Sequence, residues 1–185
     1  MVMVLLGLGA EIDKATNGYT PLMVAAQEGH GAVAAALIDS GANIDQARED
    51  GLTPLLTAVW WGHEAVLLAL LESGAEIDKA ANDSSRLTPL MVAVKNSHLA
   101  KAMVKALLGS RADVSKALRD GATVLMQAVM QGDIAVVEAL LEAGADVETM
   151  GESEVTALDL ATHSGNAAVA AALQRHGGTR APPAG

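Results

Sequence analysis

The chain has 185 residues, of which 51% are hydrophobic, and carries a formal charge of −10 with no cysteine. That is enough apolar material for one domain with a large buried area, while the acidic balance argues against a surface that tracks phosphates by counterion release, so no nucleic-acid partner is expected. Disulfides, thiolate metal sites and a cysteine nucleophile are excluded, which fits a reducing compartment.

The opening MVMVLLGLGA is apolar but too short to cross a bilayer, and it lacks the basic start of a secretory signal. No membrane partner is expected, and the cytoplasm is the anticipated setting, with the nucleus left open. Leu8 then begins LGAEID, the first copy of a segment that returns as SGANID from Ser40, SGAEID from Ser73, SRADVS from Ser110 and AGADVE from Ala143. A second segment alternates with it: TPLMVAAQEGH at Thr20, TPLLTAVWWGH at Thr53, TPLMVAVKNSH at Thr88, TVLMQAVMQGD at Thr123 and TALDLATHSGN at Thr156. These threonines lie 33, 35, 35 and 33 residues apart, a period that marks a repeat architecture.

Within a unit the apolar positions follow helical spacing twice, as Leu55, Ala58 and Val59 and then Val66, Leu67, Leu70 and Leu71. Each unit therefore holds two short helices. Thr53-Pro54 starts the first, since a hydroxyl accepts from first-turn amides and proline suits the first helical position. Gly62 supplies a left-handed stop. The next position reads His30, His63, His98, Asp133 and Asn166, a series expected to accept hydrogen bonds at the start of the second helix. Glycines 41, 74 and 144 end that helix, and the Ile-Asp or Val-Glu stretch beyond is expected to be extended. The reading gives a repeat domain over 1–178, with a partial unit at 1–15 and units starting near 18, 51, 86, 121 and 154, then a flexible tail over 179–185.

Five such segments in register resemble the ankyrin repeat motif, roughly T-P-L-H-x-A-A-x-x-G-H and G-A-D-V-N, over about Val2 to His176. The resemblance implies an all-α solenoid of stacked helix-loop-helix units with projecting hairpin-like loops, whose concave face binds protein partners. The histidine after Thr-Pro-Leu, which ties neighbouring units in that family, is here Met23, Leu56, Met91, Met126 and Asp159. Polar ties should accordingly be weaker, with apolar packing filling in. The front segment reads as a unit without its first helix, so Val2, Val4, Leu5 and Leu6 are expected to form an incompletely covered end open to a second copy or a further segment.

The seventh position after each threonine holds Gln27, Trp60, Lys95, Met130 and His163, and the eighth holds Glu28, Trp61, Asn96, Gln131 and Ser164. Equivalent sites are mostly polar, so Trp60 and Trp61 are expected to reach solvent. The residue before each threonine, Tyr19, Leu52 and Leu87 in the first three full units, lies beside this series in the resembling family. Tyr19, Leu52, Trp60, Trp61, Leu87 and Lys95 are the expected protein contacts, against the plainer reading that one tryptophan covers a neighbouring unit's core. Lys101, Lys105, Lys116 and Arg119 form a second, basic candidate for an anionic partner, with a solvated outer face as its plain alternative. Acidic loops around Asp45, Glu49, Asp50 and Asp78 suit the steering of a basic partner, or simple solubility.

No spacing signature of catalysis, metal binding or cofactor binding is present. The chain has no His-Glu-x-x-His and no Gly-Lys-Ser/Thr loop, and Gly7-Leu8-Gly9 lacks a third glycine. The expected function is a non-catalytic protein-recognition module. Its alternatives are a regulatory or targeting segment of a larger, even enzymatic, protein and a self-assembling protein that meets its own copy through the N-terminal end.

Overall fold

The computed structural model describes residues 9–82, 86–96, 100–151 and 154–179. Among them the chain forms helices alone, with no strand beyond the isolated bridges Thr16–Tyr19 and Ala117–Thr123. The helices are α1 (Pro21–Gln27), α2 (Gly31–Asp39), α3 (Pro54–Trp61), α4 (Glu64–Glu72), α5 (Pro89–Lys95), α6 (Ala100–Gly109), α7 (Val124–Gln131), α8 (Ile134–Glu142), α9 (Ala157–His163) and α10 (Ala167–Arg175). None is long and apolar enough to cross a membrane. The apolar end at Val2 to Leu6 lies outside the described residues, as does the His98 position.

Two compact units, Met1–Val92 and Ala93–Gly185, divide the chain. In the first, α1 packs on α3 and α2 on α4; in the second, α7 packs on α9 and α8 on both α6 and α10. First helices thus stack on first helices, and second on second. This is the all-α ankyrin arrangement, with a core continuous from repeat to repeat inside each unit.

The recurring threonine starts every first helix. Thr20, Thr53, Thr88, Thr123 and Thr156 are all buried, and each hydroxyl accepts from the amide three residues on, at 3.1 to 3.4 Å. A buried hydroxyl without such a partner would be costly. Gly62, at φ +81°, closes α3 in the left-handed conformation. The positions that depart from the family histidine, Met23, Leu56, Met91 and Met126, are at most 4% exposed. Each such side chain contributes about 1.5–3 kcal/mol by burial. Asp159, the polar exception, bends back to its own cap and accepts from both the Thr156 amide and hydroxyl.

Three expectations need correction. His30 and His63 make no side-chain cap; the His63 ring instead crosses to the preceding repeat, where the Gln27 carbonyl accepts from Nε2–H at 2.9 Å. Among the described members of this series, Asp133 and Asn166, whose short side chains reach the first-turn amides, are the ones that cap. Second, Ile12-Asp13, Ile44-Asp45, Ile77-Asp78 and Val114-Ser115 form turns and Val147-Glu148 a bend, rather than extended chain. Their last residue ties units together: Asp13 accepts from the Asn43 amide, Asp45 from Glu76 and Glu148 from Thr179. Polar ties between repeats therefore exist, in these turns as well as at the helix ends. Third, Thr179 does not begin a loose tail, because its amide and hydroxyl both donate to Glu148 at 2.7 and 2.6 Å. Residues 180–185 lie outside the described residues.

Candidate protein-docking site

Adjacent positions on a helix point about 100° apart, so Trp60 and Trp61 cannot share one buried line. Both rings end half-exposed at the last turn of α3, at 51% and 54%. One turn earlier, Leu56 and Thr57 are fully covered and form the floor beneath them. Thr57 satisfies its buried hydroxyl by donating to the Thr53 carbonyl at 2.8 Å.

A groove of about 270 Å³ opens at this floor, within the first unit. Trp60, Trp61, Leu56 and Thr57 supply one wall, Tyr19 and Leu52 enter from the loops before α1 and α3, and Leu87 and Val92 close it. Asp50 and Ala81 complete the rim. The chain contains two Trp, one Tyr and no Phe, so every aromatic side chain it has lines this one groove.

The aromatic rim is already engaged with charge. The Arg48 guanidinium lies 4.2 Å from the Tyr19 ring centre and reaches Asp50 at 3.2 Å. Asp50 also orders the loop that carries Leu52: one carboxylate oxygen accepts from the Leu52 amide at 3.1 Å, and the Asp50 carbonyl accepts from the Asn82 amide of the next repeat at 2.8 Å.

The structure thus brings together five of the six residues named from sequence. Leu87 is only 7% exposed and serves as floor, because it sits against the start of α5. Lys95 is exposed, belongs to the second unit and does not line the groove. Asp50, Leu56, Thr57, Ala81 and Val92 were not singled out as contacts by the sequence reading. Asp50 had a readable signal: the position three before each threonine holds Asn17, Asp50, Ser85, Asp120 and Ser153, a small polar series suited to bonding a nearby amide.

The basic run of the second unit is divided between α6 and the loop that follows it. Lys101 and Lys105 flank an apolar groove of about 460 Å³ between α6 and α8, but Lys101 pairs with Asp133 at 3.4 Å and Glu142 sits on the same groove. Lys116 and Arg119 lie in the loop beyond and do not line it. Lys116 pairs with Asp113 at 3.7 Å. The Ser115 hydroxyl, and after it the Ser115 amide, hold the Asp113 carboxyl below its usual range, with Lys116 adding a smaller pull. Among the described residues, no group of three or more His, Asp or Glu gathers as metal ligands would.

The family model described as ankyrin repeats, in three copies, matches residues 1–81 and 90–180. No match was found among curated proteins.

Proposed function

The chain belongs to the ankyrin repeat family, whose repeats generally serve protein–protein interaction, and from this premise we propose that it is a non-catalytic recognition module that docks a protein segment in the Trp60–Trp61 groove. The observation that carries the reading is the gathering of all three aromatic side chains on one open groove. A tryptophan offers about 150–250 Å² of surface, so a half-exposed ring leaves roughly 2–3 kcal/mol of apolar transfer for a partner to gain. Central Trp and Tyr anchors of this kind dominate interface energetics. Tyr19, Leu52 and the two tryptophans make the contacts, and Leu87 supports them from below.

Affinity capture from a lysate of the source organism tests this, using wild type, a Trp60→Ala/Trp61→Ala variant and a Lys101→Glu/Lys105→Glu variant, each shown to be folded by circular dichroism. A partner retained by wild type and the lysine variant but lost with the tryptophan variant supports the reading. Partners retained by the tryptophan variant and lost with the lysine variant would move the site to the α6–α8 groove. A partner of that kind would be anionic.

A further inference from the structure

The residues around the aromatic groove also specify the chemistry of what enters it. Residues 1–92 hold twelve Asp and Glu against four Lys and Arg, so the formal charge of the first unit is 4 − 12 = −8. Its cations are already engaged: Lys14 with Glu11, Arg48 with Asp50, Lys79 with Glu76, and Arg86 within its own surroundings. Carboxylates remain in excess across the unit, and one of them is part of the groove lining. Asp50 lines it, Glu49 shares the adjoining recess with Asp50 and Arg48, and Glu28 holds in α1 the place that Trp61 holds in the packed neighbour α3.

An electron-rich indole face and a nearby carboxylate act in the same direction on a cation. The molecule shows this pairing on itself, since Arg48 rests on the Tyr19 ring while its guanidinium reaches Asp50. An acidic segment would meet repulsion from the whole unit, and a neutral one would gain nothing from its net negative charge.

Building on the docking reading above, we infer that the groove receives a basic peptide segment, with a lysine or arginine next to a large apolar side chain. The apolar side chain enters between Leu52 and Leu56, and the cation lies over an indole toward Asp50. The carboxylates raise the association rate and exclude acidic competitors.

The test is selection of binders to the full chain from a random-peptide library, with the folded Trp60→Ala/Trp61→Ala variant as counter-target. The inference predicts that groove-dependent binders are enriched in Lys or Arg beside a large apolar residue. Their affinity should fall with added salt and drop by roughly tenfold against a Glu28→Lys/Glu49→Lys variant. Groove-dependent binders that are neutral or acidic, or whose affinity ignores both salt and the charge reversal, would overturn the basic-peptide inference and leave the docking site intact. A selection that yields no binder dependent on the tryptophans would overturn both.

Discussion

Gly51 provides a sharp test of how the groove is held open. It has φ +80° in the loop before α3, and a β-carbon there would collide with the Asn82 amide nitrogen and stand 3.0 Å from the Ala81 carbonyl carbon. Those atoms are backbone of the next repeat and cannot rotate aside. Gly74 is the control, at φ +84° with nothing within 4 Å of where an alanine methyl would stand. Gly74→Ala meets only the left-handed strain of about 1–2 kcal/mol, reduced by the roughly 0.4–1 kcal/mol that alanine removes from the unfolded chain's freedom. It should therefore cost about 1 kcal/mol. Gly51→Ala adds displacement of packed backbone, about 1–3 kcal/mol, and loss of the bond from the Asn82 amide to the Asp50 carbonyl, about 1 kcal/mol. Its total is about 3–5 kcal/mol, a large part of a domain's usual stability. Urea titrations followed by circular dichroism and by emission of the two tryptophans will give the comparison. Equal midpoint shifts for the two variants would refute the reasoning, because the loop-to-loop contact would then carry no constraint.

Other consequences follow from single positions. Arg111 takes φ +66° where Gly41, Gly74 and Gly144 occupy the same slot, so Arg111→Gly should raise stability by about 0.5–1 kcal/mol in the same titration; a lowered midpoint would contradict it. Thr53→Ala removes the acceptor of the Leu56 amide and should cost about 1–2 kcal/mol, whereas Thr53→Ser should retain most of the stability. Ser115→Ala should raise the Asp113 carboxyl toward its ordinary value of 3.8, as read by carbon-detected NMR titration. In wild type the folded carboxyl binds its proton less readily than the unfolded one, so its stabilisation is complete above about pH 4 and is lost as pH falls through the lowered pKa. The variant should show less of this acid loss.

Much of this fold is legible because each repeat states the same physics again. The buried threonine caps, the apolar replacements at Met23, Leu56, Met91 and Met126, and the solvent-facing pair Trp60 and Trp61 all emerge from comparing equivalent positions. Side-chain reach is what such a comparison does not supply. Histidine reads as an acceptor at a helix start, yet the His63 ring is long enough to meet the Gln27 carbonyl across the repeat interface. Lys101 has no acidic neighbour close along the chain, yet Asp133, 32 residues away in number, lies 3.4 Å from it. Leu87 shares its slot with half-buried Leu52, but packing at its own repeat covers it. Asp45 reads as part of a solvated acidic loop, yet its carboxylate accepts the Glu76 amide of the next repeat, as Asp13 accepts that of Asn43 and Glu148 that of Thr179.

The central claim, that the aromatic groove is where a protein segment docks, is tested most directly by the chain's only two indole N–H signals, those of Trp60 and Trp61. The measurement is a ¹H–¹⁵N correlation titration of the full chain with a basic-apolar peptide selected for groove binding, with each indole signal assigned by single Trp→Phe substitution. The account predicts that both signals move and saturate at the same peptide concentration as the backbone amides of Leu52 and Thr57. Saturable binding that leaves both indole signals in place would contradict it and move the site elsewhere on the chain.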